Sequence, residues 1–533
     1  MRKFYLLLLS LLILQSCKNN LLNVKEVEVE GWEPLVALPL IHSTLSLEKL
    51  LASGDSNVIK IDNEKFITLA YEKHIKTLLA PDVVQLDNQA IAEDLSMTGP
   101  EITILTGTGT VTFSRTITVD FDLSGDGVAD DVLFDNGNLA IMLKSHLKHD
   151  LHVEITIPAA TKSGQPLKVS LDLPYSGSSP VSDMANLSLA GYLFDFDFND
   201  PSKENKFDIN LTITANFKNN PVSSGDIIDA SFSFESMDLK YFHGYVGHEV
   251  LSAIGDTLKL PVFDNQIGTG SFNIADPQVG IRIRNGFGIP IEMAVNKLEF
   301  LDKDIGVIPF TGSGVPSVLV LNTPTQAEYG QQVLTALDFN KSNSNIKQVL
   351  DAMPEKLIFN ISPEINPAAT KVQNFVIDDV GMDIDLLLNL PLYGSASNFV
   401  LQDTLEFSIS SPEQLLSLML RTNLTNGFPI DLEMQVYLAD EKYQILDSLI
   451  KTDYIIVASA LVNPQSGRVT SPVHKKTDIV LSDSMMGLLP KVKYLLVTGK
   501  LSTFNNGNTD VKIYSDYELE VKIGVLAKIK GHF

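Results

Sequence analysis

Alternation of apolar and polar residues recurs along most of this chain from about position 101 onward: Ile102 and Ile104, Val111 and Phe113, then Ile117, Val119 and Phe121, and later Phe207, Ile209, Leu211 and Ile213. Successive side chains of an extended strand point to opposite faces, so a period of two describes strands with one buried face. Most of these runs are bounded by Gly, Asn, Asp, Pro or Ser, which supply turn geometry. Helical periodicity is confined to a few stretches, chiefly 326–337 and 345–353, the second stopped by Pro354, with a short candidate at 46–52. The expected class is mostly β: tandem antiparallel β-sandwich modules with a few short helices.

The alternation also repeats on a larger scale. Segments 139–157, 279–297 and 417–436 fall in register at offsets of 140 and then 139 residues. Asp150, Pro290 and Pro429 share one position, Gly288 and Gly427 coincide two residues earlier, and alternation holds on both sides of the break. Gly allows unusual backbone angles and Pro gives up a ladder donor, so such a break suits a strand end, a bulge or a crossing between sheets. A common register puts Val153, Met293 and Leu432 on one face, with Glu154, Ala294 and Glu433 on the other.

The phrases Asn285-Gly286-Phe287-Gly288-Ile289-Pro290-Ile291 and Asn423-Leu424-Thr425-Asn426-Gly427-Phe428-Pro429-Ile430 resemble the asparagine-rich turn of LEA-2 (water-stress, WHy-type) domains. That resemblance covers about 20 residues per copy, and the first copy lacks the Pro. It implies a β-sandwich and no catalytic residues.

At the N-terminus, Arg2 and Lys3 precede an apolar run over 4–14 that is too short to span a bilayer, the pattern of a secretory signal. The tetrad Leu14-Gln15-Ser16-Cys17 resembles the lipobox of bacterial lipoproteins, and the whole chain is similar to large lipoproteins of the bacterial envelope. The resemblance implies that Cys17 is lipidated and becomes the first mature residue. Cys17 is also the only cysteine, which leaves no partner for a disulfide or a cysteine metal site. Buried acyl chains contribute about 0.8 kcal/mol per CH2, so several chains together anchor stably. The expected organisation is a signal peptide over 1–16, a lipidated tether over 17–30, and β domains over 31–185, 186–320 and 321–533, the last with a helical insert. The expected location is the outer membrane of a bacterial cell envelope. Lys18-Asn19-Asn20 lacks the acidic residues that follow the cysteine in some surface-exported lipoproteins, which favours the periplasmic face. Trp32, the only tryptophan, opens the folded part and is expected in its core.

Acidic residues outnumber basic ones 65 to 40, a net charge of −25, and Lys and Arg form no stripe. This pattern argues against a nucleic-acid partner and against adhesion to anionic headgroups by net charge, leaving the lipid as anchor. The partners expected are the membrane, through that lipid, and an unidentified protein or lipid.

Two readings stay open for the loop Asp122-Leu123-Ser124-Gly125-Asp126-Gly127-Val128-Ala129-Asp130. Asp122, Ser124, Asp126 and Asp130 stand at calcium-loop positions 1, 3, 5 and 9 with Gly127 at 6, but Leu133 occupies position 12, where a bidentate Glu belongs. A polar hairpin turn fits the same residues and is favoured. His146, His149 and His152 lie in an alternating segment, where 146 and 149 face opposite ways. His248-Glu249 lacks the second histidine of a zincin, no Gly-x-Ser-x-Gly elbow occurs, and Gly107-Thr108-Gly109 and Gly268-Thr269-Gly270 continue into no phosphate loop. The expectation is a non-enzymatic binding or structural array that requires no cofactor, with calcium the only candidate. The alternative is a lipid-binding or lipid-transfer protein with an apolar groove, which the mean hydropathy of +0.12 and the run Leu386-Leu387-Leu388 would suit. Carbohydrate binding ranks below both, since one Trp and 8% aromatic residues offer no visible stacking platform.

Overall fold

The computed structural model describes residues 33–46, 59–123, 125–260, 271–407, 414–450 and 455–530. Cys17, Trp32 and Ser124 lie outside the described residues, as does all but the first residue of the helix expected at 46–52. The chain is mostly β, in several antiparallel sheets with three short α-helices among the described residues.

Taken in chain order, β1 (Leu35–Ser46) belongs to an outer sandwich and β2 (Ile67–Leu78) to a middle one. An inner sandwich follows without interruption: β3 (Gln89–Ser96), β4 (Thr110–Asp120), β5 (Val128–Ser145), β6 (Asp150–Lys162), β7 (Gln165–Leu173), β8 (Val181–Ser188), β9 (Lys206–Asn216) and β10 (Ile227–Tyr245). The chain then completes the middle sandwich with β11 (Ile254–Lys259), β12 (Gln278–Asn285), β13 (Ile291–Asp302), β14 (Gly306–Pro309), β15 (Val333–Phe339) and β16 (Lys356–Ile365). An added strand, β17 (Asn374–Ile377), precedes its last member, β18 (Met382–Pro391). The outer sandwich is finished by β19 (Phe399–Glu406), β20 (Leu415–Asn426), β21 (Ile430–Ala439), β22 (Ile445–Ser448), β23 (Val473–Val480), β24 (Tyr494–Thr503) and β25 (Glu518–Ile529).

The three sandwiches share one plan. Their first sheets run β3-β10-β5-β8, β2-β18-β12-β15 and β1-β25-β20-β23. Their second sheets run β4-β9-β6-β7, β11-β16-β13-β14 and β19-β24-β21-β22. In the inner sandwich a short strand, Leu193–Asp195, bonds to both β5 and β6 and joins the two halves along one side. The consecutive domains expected at 31–185, 186–320 and 321–533 give way to nested ones: β8 straddles position 185, and β1 pairs along its length with β25 at the far end of the chain. The outer sandwich falls in one compact unit, and the inner and middle ones fall together in another.

Each break found in the sequence is the place where the chain leaves a first sheet for a second, between β5 and β6, β12 and β13, and β20 and β21. The last residue before each crossing is a buried polar one that turns the chain by accepting a backbone N–H two residues on. Ser145 Oγ accepts from Leu147 at 3.2 Å, Asn285 Oδ1 from Phe287 at 3.0 Å and Asn426 Oδ1 from Phe428 at 2.9 Å. Asn285 therefore corresponds to Asn426, and the third crossing is two residues shorter, so the Gly288 and Gly427 alignment read from the sequence is replaced by Gly286 and Gly427. Both of these donate to the opening of the last first-sheet strand, Gly286 to Gly381 O at 3.1 Å and Gly427 to Glu518 O at 2.8 Å. After the crossing, Val153 and Met293 are buried and Leu432 packs against the core, as the common register requires.

Phe134, Phe194, Phe207 and Phe234 form edge-on pairs 5.2 to 5.8 Å apart in the inner core. That core continues into one end of the middle sandwich through Ile283, Phe287, Ile291 and Met293. The outer sandwich has two small clusters, around Leu418 and Met485 and around Leu424 and Val457.

Two local expectations are corrected. Ile102 and Ile104 lie in α1 (Gly99–Thr108), not in a strand. Thr98 is its N-cap, and the Glu101 carboxylate accepts Thr98 N–H at 2.7 Å while the Arg115 fork donates to it at 2.8 and 3.0 Å. The stretch 326–337 is a single 3-10 turn, Gln326–Glu328, followed by strand β15, because Val333 and Thr335 pair with β12. The expected helix at 345–353 is present as α2 (Ile346–Asp351), and α3 (Asp483–Leu488), capped by Ser482, was not anticipated.

Candidate functional site

The inner and middle sandwiches meet in a seam that gathers several buried polar groups, Asn366, Asn374, Asp131 and His243 among them. Strand β17 of the middle sandwich adds to the first sheet of the inner one, pairing Tyr241 with Ile377 and His243 with Phe375 along β10. Buried Asn366 and Asn374 hold the connection: Asn374 Oδ1 accepts from Val246 N–H at 3.1 Å and from Asn366 Nδ2 at 2.9 Å, and Asn366 Nδ2 also donates to Gly247 O at 2.7 Å.

The 122–130 loop belongs to this seam. Asp126 Oδ1 accepts the His248 N–H at 2.9 Å, and Asp130 Oδ2 accepts from Gln373 Nε2 at 2.5 Å. Asp122 instead exchanges main-chain bonds with the Gln89 side chain. The Asp126 and Asp130 carboxylates thus serve different partners, and among the described residues no group of three His, Cys, Asp or Glu side chains is arranged to hold a metal ion. His146, His149 and His152 likewise separate: His146 lies 3.2 Å from Asp229, His152 lies 2.7 Å from Asp172, and His149 is buried against Phe217.

On the outer face of β10, His243 stacks on Tyr241 with ring centres 4.8 Å apart, and Tyr329 of the middle sandwich meets it edge-on at 5.4 Å. His243 Nδ1 lies 3.2 Å from the Asp131 carboxylate, while its Nε2 is buried without a partner. Asp195 pairs opposite Asp131 across the strands. Burial, then the charge of Asp131, pushes the Tyr241 hydroxyl up to about 12, and burial with Asp131 and Asp195 raises Asp130 above the usual carboxylate range. The His243–Asp131 pair thus sits in an acidic cluster faced by the rings of Tyr241 and Tyr329. Sequence reasoning singled out none of Tyr241, His243 and Tyr329; the only signal was that the first two stand two apart on the polar face of β10.

Beside the seam, the mouth of the middle sandwich opens between β2 and β11 into a groove of about 460 Å3. Leu78, Leu251, Ile254 and Phe359 line it, with Lys76, Asp82, Glu249 and Asp256 among its charged groups. Its size falls in the range of about 300 to 1,000 Å3 found for small-molecule sites. Three carboxylates against one amine suit a ligand with an apolar body and a positive charge. The interior of the same sandwich holds an all-apolar void of only about 60 Å3 between Ile283, Met293, Leu357 and Leu386.

No family model and no curated protein matches the chain. Among solved structures, a protein of Parabacteroides distasonis described as secreted aligns with 94% of this chain and 100% of its own, at 11% identity and a TM-score of 0.27. The VP2 subviral particle of infectious bursal disease virus aligns over 84% and 81%, at 8% identity and a TM-score of 0.12. Likeness at this level carries no argument about fold or function, and the LEA-2 resemblance rests on its turn phrases alone.

Proposed function

We propose that this chain is an envelope lipoprotein, anchored in the membrane by lipid on Cys17, whose nested sandwiches act as a non-enzymatic binding or structural array. The observation that carries the reading is the threefold use of one eight-strand plan, with the outermost sandwich opening at β1, shortly after the expected tether over 17–30 in the sequence. Repetition of a scaffold multiplies surface, and the groove beside β11 offers one ligand-sized place on it. The lipid-transfer alternative needs an enclosed apolar space, and the apolar void between Ile283, Met293, Leu357 and Leu386 supplies about 60 Å3 of it.

Cell fractionation of Cys17→Ala tests the anchor. The wild-type protein should sit in the membrane pellet and leave it with detergent, while the variant, once signal cleavage is confirmed, should be released without detergent. A cleaved variant that still requires detergent would overturn the lipid anchor.

A further inference from the structure

The outward face of the sheet β1-β25-β20-β23 carries an apolar row that crosses all four strands. The register sets Ala37 beside Leu526, Leu526 beside Met419, and Met419 beside Val480. These residues alternate with buried Leu418 and Ala527, so they point away from the core. Val480 is 66% exposed, and Leu35, one outward position further along β1, is 64% exposed. Two positions down the strands, Gly524 lies between Pro39 and Arg421 and leaves a shallow concavity of about 250 Å3 bordered by Ala37, Met419, Leu526 and the Arg421 side chain. The next outward row carries His42, Lys522 and Lys476.

The charge of this face departs from that of the chain. Asp478 is held by the Arg421 fork at 2.6 and 2.7 Å with Lys476 nearby, and Glu520 is held by Lys522 at 2.6 Å and His42 at 3.1 Å. Every acid of these rows is thus matched by a base, in a protein whose net charge is −25. The first described residue, Glu33, contacts Lys528 at the same end of the sheet as the apolar row. The 16 residues from Cys17 to Trp32 span at most about 55 Å when extended, and far less as a flexible coil.

We propose that this face of the outer sandwich rests on the lipid bilayer surface, with the row Ala37-Leu526-Met419-Val480 entering the headgroup layer and Lys476, beside the Arg421–Asp478 and Lys522–Glu520 ion pairs, meeting lipid phosphates. Apolar side chains flanked by cations are the arrangement by which peripheral segments bind anionic membranes. A short tether entering beside that row keeps the face near the bilayer, so weak contacts suffice. The inference rests on the lipoprotein reading for its tether but not for the face, and the two are tested apart.

The chain from Lys18 to Phe533, which lacks Cys17 and retains every described residue, is sedimented with vesicles of phosphatidylethanolamine containing about one third phosphatidylglycerol. Binding is expected, weaker at high salt, and reduced at least about fivefold by the double substitution Ala37→Asp, Val480→Asp. Both sites are exposed, and an unchanged circular dichroism melt confirms that the variant is folded. Absence of vesicle binding, or equal binding by the folded variant, would overturn the proposal while leaving the Cys17 anchor to its own fractionation test. Failure of that anchor would in turn leave the vesicle result standing.

Discussion

His149 is 1% exposed, stacked on Phe217 at 5.0 Å, and accepts the Lys218 N–H on Nδ1 at 3.1 Å, so its proton sits on Nε2, which is buried without a partner. Burial pushes this imidazole below the ordinary histidine range, against the weaker pull of Asp226 and Asp150. Because the folded state resists protonation, the unfolded chain takes up the proton first as the pH drops below about 6.5, and the stability contributed by the neutral ring is lost in acid. Melting curves of His149→Gln, which keeps an acceptor for Lys218, should therefore fall less steeply between pH 7 and pH 5 than those of the wild type. Parallel curves would show that the ring is not held neutral. The sequence marked His149 only as one of three histidines at a spacing of three. Its burial depends on Phe217 and Lys218, which a reading of local periodicity does not bring to it.

At the scale of elements, the second and third crossings between sheets were the most legible feature, since Asn, Gly and Pro each leave a backbone signature there, whereas the first, 145–150, contains none of the three. Their exact correspondence was not legible, because two missing residues in the third loop shift Gly288 against Gly427, and only strand pairing shows that Gly286 is the equivalent. A Cβ on Gly286 would come within 2.5 Å of Val380 Cγ1 and 2.7 Å of Val380 O, with main chain on two sides. Gly286→Ala should cost about 1 to 3 kcal/mol by overpacking. Gly107→Ala, in the open face of α1 with nothing within 4 Å, should be neutral or stabilising by up to about 1 kcal/mol. Chemical denaturation of both variants checks the pair, and equal effects would contradict the close approach at the crossing. The helix α1 was missed for a related reason: two isoleucines at a spacing of two fit the strand pattern, while the decisive Thr98-Gly99-Pro100-Glu101 start lay just before them.

Nesting is a property of the whole molecule and leaves no local trace. Each outer module is split by the next, so β1 finds β25 across nearly the entire chain, and consecutive domain boundaries were the natural but wrong reading. The two compact units also differ in their cores: full burial of many Phe, Ile and Leu side chains marks the inner and middle sandwiches, while strands β24 and β25 of the outer one are mostly half-exposed. Local stability follows buried apolar contact, so hydrogen exchange should proceed faster in β20, β24 and β25 than in β5, β6 and β10. Uniform protection across both units would contradict this ranking.

The proposed place of the nested array at a membrane depends on one covalent event at Cys17. Intact mass spectrometry of the protein extracted from membranes reads that event directly. The mature chain should begin at Cys17 and carry the added mass of acyl lipid on that residue. A mature N-terminus elsewhere, or an unmodified Cys17, would contradict the lipid anchor.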